Sequence, residues 1–142
     1  MDWYLSLAKD TDANDTSKDF VAQGDWQLLA VRVRLVTTAT AGNRLVTMQI
    51  YDDSDATNVL LEMRSGVAQV ASKDYSYYFA PGLSRLTSVY DSDYVSCPIP
   101  NIMLHNHQML RICDLAAVAA DSDDMEVFIS GVQKQSLWQG NK

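Results

Sequence analysis

From residue 27 onward the chain alternates apolar and polar positions with a period of two. In residues 29–35, Leu29, Val31, Val33 and Leu35 fall on one side and Arg32 and Arg34 on the other. Successive side chains of a strand point to opposite faces, so this pattern predicts one buried and one wet face. Residues 45–51 repeat it, with Val46, Met48 and Ile50 set against Thr47 and Gln49. Residues 58–64 put Val59, Leu61 and Met63 together, and Tyr75, Tyr77 and Phe79 alternate up to the turn Ala80-Pro81-Gly82. Residues 87–90 and 94–97 flank Asp91-Ser92-Asp93 as a hairpin, after which Pro98 and Pro100 end the strand or hold it at a sheet edge. A short strand is predicted over 102–104. The last two span 109–115, where Leu110 and Ile112 oppose Met109, Arg111 and Cys113, and 125–132, where Met125, Val127 and Ile129 oppose Glu126 and Ser130. Between them an alanine-rich stretch, 115–120, suits a single helical turn. Nothing else sustains a helical period. About eight strands at this spacing predict an all-β protein, an antiparallel β-sandwich of the jelly-roll kind.

The pattern also divides the chain. Residues 1–25 read as an N-terminal arm, with a short apolar piece at 3–8 and a polar loop at 9–19. Residues 26–132 form the sandwich, and 133–142 a polar tail. The whole chain has 142 residues, enough for one domain that buries about 70% of its unfolded surface. Trp3 and Tyr4 precede the polar loop, and Leu137 and Trp138 stand in the polar tail. Aromatic and large apolar side chains isolated in polar segments are predicted interface anchors.

Charge narrows the partners. Eighteen acidic against 11 basic residues leave a formal net charge of −7, and the basic ones are scattered singly. Binding to nucleic acid draws on a basic patch that displaces phosphate counterions, so neither DNA nor RNA is an expected partner. Attachment to an anionic membrane is disfavoured on the same ground. Met1-Asp2-Trp3-Tyr4 carries neither the positive region nor the apolar stretch of a signal peptide, which predicts a protein made and kept in the cytosol, or leaving it by lysis. Cys97 and Cys113 are too few for a disulfide framework, and are expected as small buried residues, although a bridge between them is left open.

Candidate chemistry is sparse. In extended backbone His105 and His107 share a face, but no third ligand stands at a familiar spacing, so the pair is read as a polar turn. Asp10, Asp12 and Asn14 match the first three ligands of a calcium loop. The match then fails, with Asp15 where a glycine must turn the chain and Val21 where a bidentate glutamate belongs. The clusters Asp52, Asp53, Asp55 and Asp121, Asp123, Asp124 are read as wet loops. There is no Gly-x-Ser-x-Gly elbow, no cysteine with a histidine partner in a recognisable context, and no phosphate-binding glycine loop. A non-enzymatic protein without cofactor is the expectation.

Several segments bear a resemblance. Residues 29–37, the turn Thr38-Ala-Thr-Ala-Gly-Asn-Arg44 and the strand end Ile50-Tyr51-Asp52 are joined by Phe79-Ala-Pro-Gly82, Pro98-Ile-Pro100, Leu110-Arg-Ile-Cys-Asp114 and Ala119-Ala-Asp-Ser-Asp-Asp-Met125. Together, over about residues 26–132, they resemble small structural proteins of tailed-phage virions. The resemblance implies a jelly-roll-like domain that decorates a capsid in many copies, with the major capsid protein or other virion proteins as partners. A neck, tail or fibre component is the alternative within the same resemblance. One departure is His105-Asn106-His107, which stands where those proteins carry a glycine turn. A lectin-like module, with a platform drawn from Tyr75, Tyr77, Tyr78 and Tyr90, is a third expectation.

Overall fold

The computed structural model describes residues 3–11, 17–83, 93–116 and 123–134, and for residues 3, 4, 6 and 134 the backbone alone. It is all-β. The strands are β1 (Trp3–Asp10), β2 (Ser17–Val21), β3 (Trp26–Val36), β4 (Val46–Tyr51), β5 (Val59–Arg64), β6 (Asp74–Ala80), β7 (Tyr94–Pro98), β8 (Ile102–Leu104), β9 (Met109–Asp114) and β10 (Asp124–Lys134). Sheet A runs β1-β10-β3-β6-β7, with β8 also paired to β3. Sheet B runs β2-β9-β4-β5. Antiparallel pairs nest one inside another: β1 with β10, β2 with β9, β3 with β6, β4 with β5. Two four-stranded layers in the orders 1-10-3-6 and 2-9-4-5 make a jelly-roll sandwich, and β7 and β8 are additions to sheet A.

The inner faces are those the alternation predicts. Val31, Val33 and Leu35 of β3 and Met125, Val127 and Ile129 of β10 meet Val46, Met48, Leu110 and Ile112 of sheet B. Each contributes about 1.5–3 kcal/mol by leaving water. Two expected positions move. Leu29 is exposed and Leu28 takes its place in the core, because a register shift at Ser130 and Gly131 puts one extra residue of β3 opposite β10. A one-residue slip exchanges the faces of a strand. Val59 is exposed for the same reason, since β5 shifts against β4 at Ile50 and Tyr51. At the first of these bulges, a Cβ on Gly131 would land on the Trp26 ring and 2.8 Å from the Gln27 carbonyl oxygen.

Two segments expected as arm and loop carry strands, β1 and β2. Their polar residues are consistent with edge positions, where one side of the backbone faces water. The predicted strand at 87–90 and most of the helical turn at 115–120 lie outside the described residues. Strand β7 pairs with β6 in parallel, and Pro98 ends it at the sheet edge. The His105-Asn106-His107 turn holds its left-handed residue at His107 (φ 73°), where glycine is the easier choice. Both cysteines are buried, and no disulfide joins them.

One end of the sandwich is closed by polar groups. Arg44 and Asp123 are both 0% exposed, and Arg44 Nε–H donates to Asp123 Oδ2 over 2.8 Å. Nη1 donates to the carbonyls of Thr40 and Gly42, and Nη2 to Thr38 Oγ1 and Asp123 Oδ1. The reading of Asp123 as a solvated loop acid is therefore corrected: the β3–β4 turn folds over it and brings a guanidinium. Alongside, buried Gln69 donates to the carbonyls of Leu35 and Lys73 and accepts from Tyr77 Oη–H at 2.7 Å. Burial pushes the Tyr77 phenol far above its ordinary value.

Burial alone would push the Asp123 carboxyl up, but hydrogen bonds from Arg44 and the Thr38 amide bring it below the ordinary range. A carboxyl depressed in the fold stabilises it above the unfolded value, about pH 4, and this contribution is lost as pH falls through the folded value. The apparent unfolding free energy should thus decline below about pH 4, and Asp123→Asn should remove that part of the decline. At pH 7 the same variant leaves a buried guanidinium without its anion and should cost about 3–5 kcal/mol in urea unfolding. Gly131→Ala should cost about 1–3 kcal/mol by overpacking against Trp26, measurable in the same assay.

Candidate functional site

The outer face of sheet A offers a binding surface. The inward row Ala8, Ile129, Val31 and Phe79 fixes which side chains point away from the core. The next row reads Lys9 opposite Phe128, Phe128 opposite Arg32, Arg32 opposite Tyr78, and Tyr78 opposite Ser96. The Arg32 guanidinium carbon lies 5.6 Å from the Phe128 ring centre, within cation–π range. Tyr78 stacks on Tyr94, with ring centres 5.9 Å apart and planes tilted by 23°.

Two hollows meet at Arg32. One, of about 520 Å³, is mostly apolar and is lined by Leu7, Ala30, Tyr78, Phe128 and the stems of Lys9 and Arg32, among others. The other, of about 310 Å³, is polar and is lined by Arg32, Arg34, Asp74, Ser76, Asp93 and Tyr94. Arg34 is engaged there: Nε and Nη2 grip Asp74 at 3.0 and 2.8 Å, and Nη1 reaches Glu126 at 3.5 Å. Hydrogen bonding from Arg34 holds the Asp74 carboxyl below its ordinary value. Beside the apolar hollow Leu5 and Leu7 of β1 are 61% and 72% exposed, on the same face two residues apart.

The outer face of sheet B is chemically closed. Arg111 grips Asp19 at 2.7 and 3.0 Å and lies over the Tyr51 ring, while Tyr51 Oη–H donates to Gln49, whose amide donates to Glu62. Burial pushes the Cys113 thiol up to about 11, so it is a poor nucleophile at neutral pH. A hollow of about 400 Å³ beside Trp26 and Phe20 has two of its polar residues engaged, Asp19 by Arg111 and Gln133 by the Gln23 carbonyl. The Trp26 Nε1–H is buried and finds no acceptor among the described residues.

Trp3 and Tyr4 open β1, opposite Lys134 and Gln133 of β10. Leu137 and Trp138 lie outside the described residues. Of the expected aromatic platform, Tyr77 is core, Tyr75 packs against the core, Tyr78 faces outward, and Tyr90 lies outside the described residues. His105 Nδ1 sits 3.0 Å from Asp25. Sequence reasoning missed Leu5, Leu7, Lys9 and Phe128 as one surface. The alternation Leu5, Leu7, Lys9 was a usable signal, but only the pairing of β1 with β10 brings Phe128 beside it.

No family model and no curated protein matches the chain. Among solved structures it is similar to a chain of infectious bursal disease virus, Gx strain, at 12% identity and a TM-score of 0.44, covering 98% of this chain and 34% of that one. This chain thus spans about a third of that viral chain's length. A carbohydrate-binding module from the family 9 glycoside hydrolase Cel9A of Ruminococcus flavefaciens is similar at 9% identity and a TM-score of 0.46, covering 90% and 98%. A chain of Cocksfoot mottle virus is similar at 7% identity and a TM-score of 0.38, covering 96% and 97%. Likeness at this level says nothing about what this chain binds.

Replacing Arg34 by Met should let the Asp74 carboxyl return toward its ordinary value. A pH titration of the side-chain carboxyl resonances would register this as a rise for Asp74.

Proposed function

We propose that this chain is a non-enzymatic structural protein of a tailed-phage virion, decorating the outer capsid shell in many copies. It is made in the host cytoplasm and taken up onto the particle, with the major capsid protein as its partner and no cofactor. The observation that carries the reading is the outer face of sheet A, an apolar, cation-flanked groove beside a long exposed edge strand on an otherwise acidic domain. Such a face suits attachment to another protein surface. The resemblance over residues 26–132 supplies the virion setting. Two of its segments, the turn ending at Arg44 and the run containing Asp123, are tied together by the buried ion pair.

A second reading, a carbohydrate-binding module, has one observation in its favour. Tyr94 is 44% exposed, stacks on Tyr78 and borders a hollow carrying Arg32 and Asp74, and sugars are held by aromatic faces flanked by such groups.

Mixing the protein with shells assembled without it should give saturable binding at hundreds of copies per particle, counted by quantitative mass spectrometry. A handful of copies would move it to the neck or tail. No binding to shells together with hits on a glycan array would replace the reading with the second one.

A further inference from the structure

We propose that β1 accepts an extended partner strand, an acidic and apolar segment of a shell subunit, by adding it to the edge of sheet A. The edges of this sandwich are not alike. Natural sheets guard their edges with prolines, bulges, charges or shortness, because unpaired backbone N–H and C=O groups otherwise recruit another strand. Strand β7 ends in Pro98, β5 shifts register against β4, and β2 has five residues with Lys18 and Asp19 among them. Strand β1 has eight residues in unbroken register with β10 and contains no proline. Among the described residues it pairs on one side only. Its two outward leucines are the most exposed large apolar side chains of the described residues.

Charge selects the occupant. Next to these leucines Lys9 and Arg32 flank Phe128; among the described residues neither forms an ion pair within 4 Å, although Asp74 feels the Arg32 charge across the polar hollow, whereas Arg34 grips Asp74 and Glu126 directly. The chain as a whole carries −7, so this face is a local cationic site on an acidic protein. A strand added antiparallel to β1 meets Lys9 first, then Leu7, then Leu5, with every second side chain on the groove side. The complementary sequence is acidic-x-apolar-x-apolar. Main-chain hydrogen bonds then provide affinity, and the cation row sets register and direction. This rests on the proposed virion role for the partner's origin, but not for the edge itself.

The test uses the full chain and two fluorescent heptapeptides rich in threonine, with valine at the fourth and sixth positions and either Glu or Lys at the second. The Glu peptide should bind in fluorescence anisotropy, and the Lys peptide at least about tenfold more weakly at low salt. In the double variant Lys9→Glu, Arg32→Glu the preference should reverse. Leu7→Thr, which keeps a strand-forming residue, should weaken both peptides; circular dichroism and urea unfolding would verify that each variant is folded. Equal binding of the two peptides, binding of neither, or binding untouched by Leu7→Thr overturns the proposal. So does a monomer–dimer equilibrium that Leu7→Thr abolishes and the Glu peptide leaves unchanged, which would assign the edge to a second copy. Wild-type protein that binds shells, with variants that bind them equally well, would sink this inference and leave the virion role standing. Peptide selectivity without shell binding would do the opposite.

Discussion

The buried pair between Arg44 and Asp123 is the interaction on which the architecture depends. It joins the turn between β3 and β4, which crosses from one sheet to the other, to the residue just before β10. All five guanidinium hydrogens find acceptors, two on the carboxylate, two on turn carbonyls and one on Thr38. A charge so far from water is tolerated only with its anion present and its donors satisfied. The pair therefore specifies one arrangement of the turn more than it adds net stability. Through the Arg44 backbone, paired in both directions with Gln69, it also positions the amide that Tyr77 bonds. The apolar core begins immediately beneath.

This closure at one end has a consequence for the faces. The strands beside the closure, β3 and β10, sit in the middle of sheet A, so their pairing sets the order of their outward rows as well as their inward ones. Arg32, Phe128 and Tyr78 are thus neighbours in one cross-strand row. Sheet B uses its outer face differently, spending Arg111, Asp19, Tyr51, Gln49 and Glu62 on one another. The two faces of one sandwich therefore differ in availability, and the available one borders β1.

Electrostatics adds direction to this asymmetry. Most acidic residues give the molecule solubility in a crowded setting, as a net charge well away from zero does generally. Lys9 and Arg32 are set against that background beside apolar surface. An approaching surface of opposite sign is steered toward them, and its final register is then decided by packing and backbone pairing.

The alternation of side chains was enough to read the fold class and the inner faces of β4, β6, β9 and β10, because a period of two has one structural meaning. It was also enough to place a turn at Gly82 and strand at 102–104. Three things needed the tertiary structure. The bulges at Gly131 and at Tyr51 exchange Leu28 for Leu29 and expose Val59, and a bulge is a property of two strands together. Strands β1 and β2 are edge strands whose sequence alone looks like an arm and a loop; they become strands because β10 and β9 offer them hydrogen-bond partners. Asp123 and Arg44 lie 79 positions apart, each ordinary in its own loop, and nothing local marks either as buried. The outer-face site has the same origin. Lys9, Phe128 and Arg32 come from three distant segments, and only the order of strands in sheet A makes them neighbours.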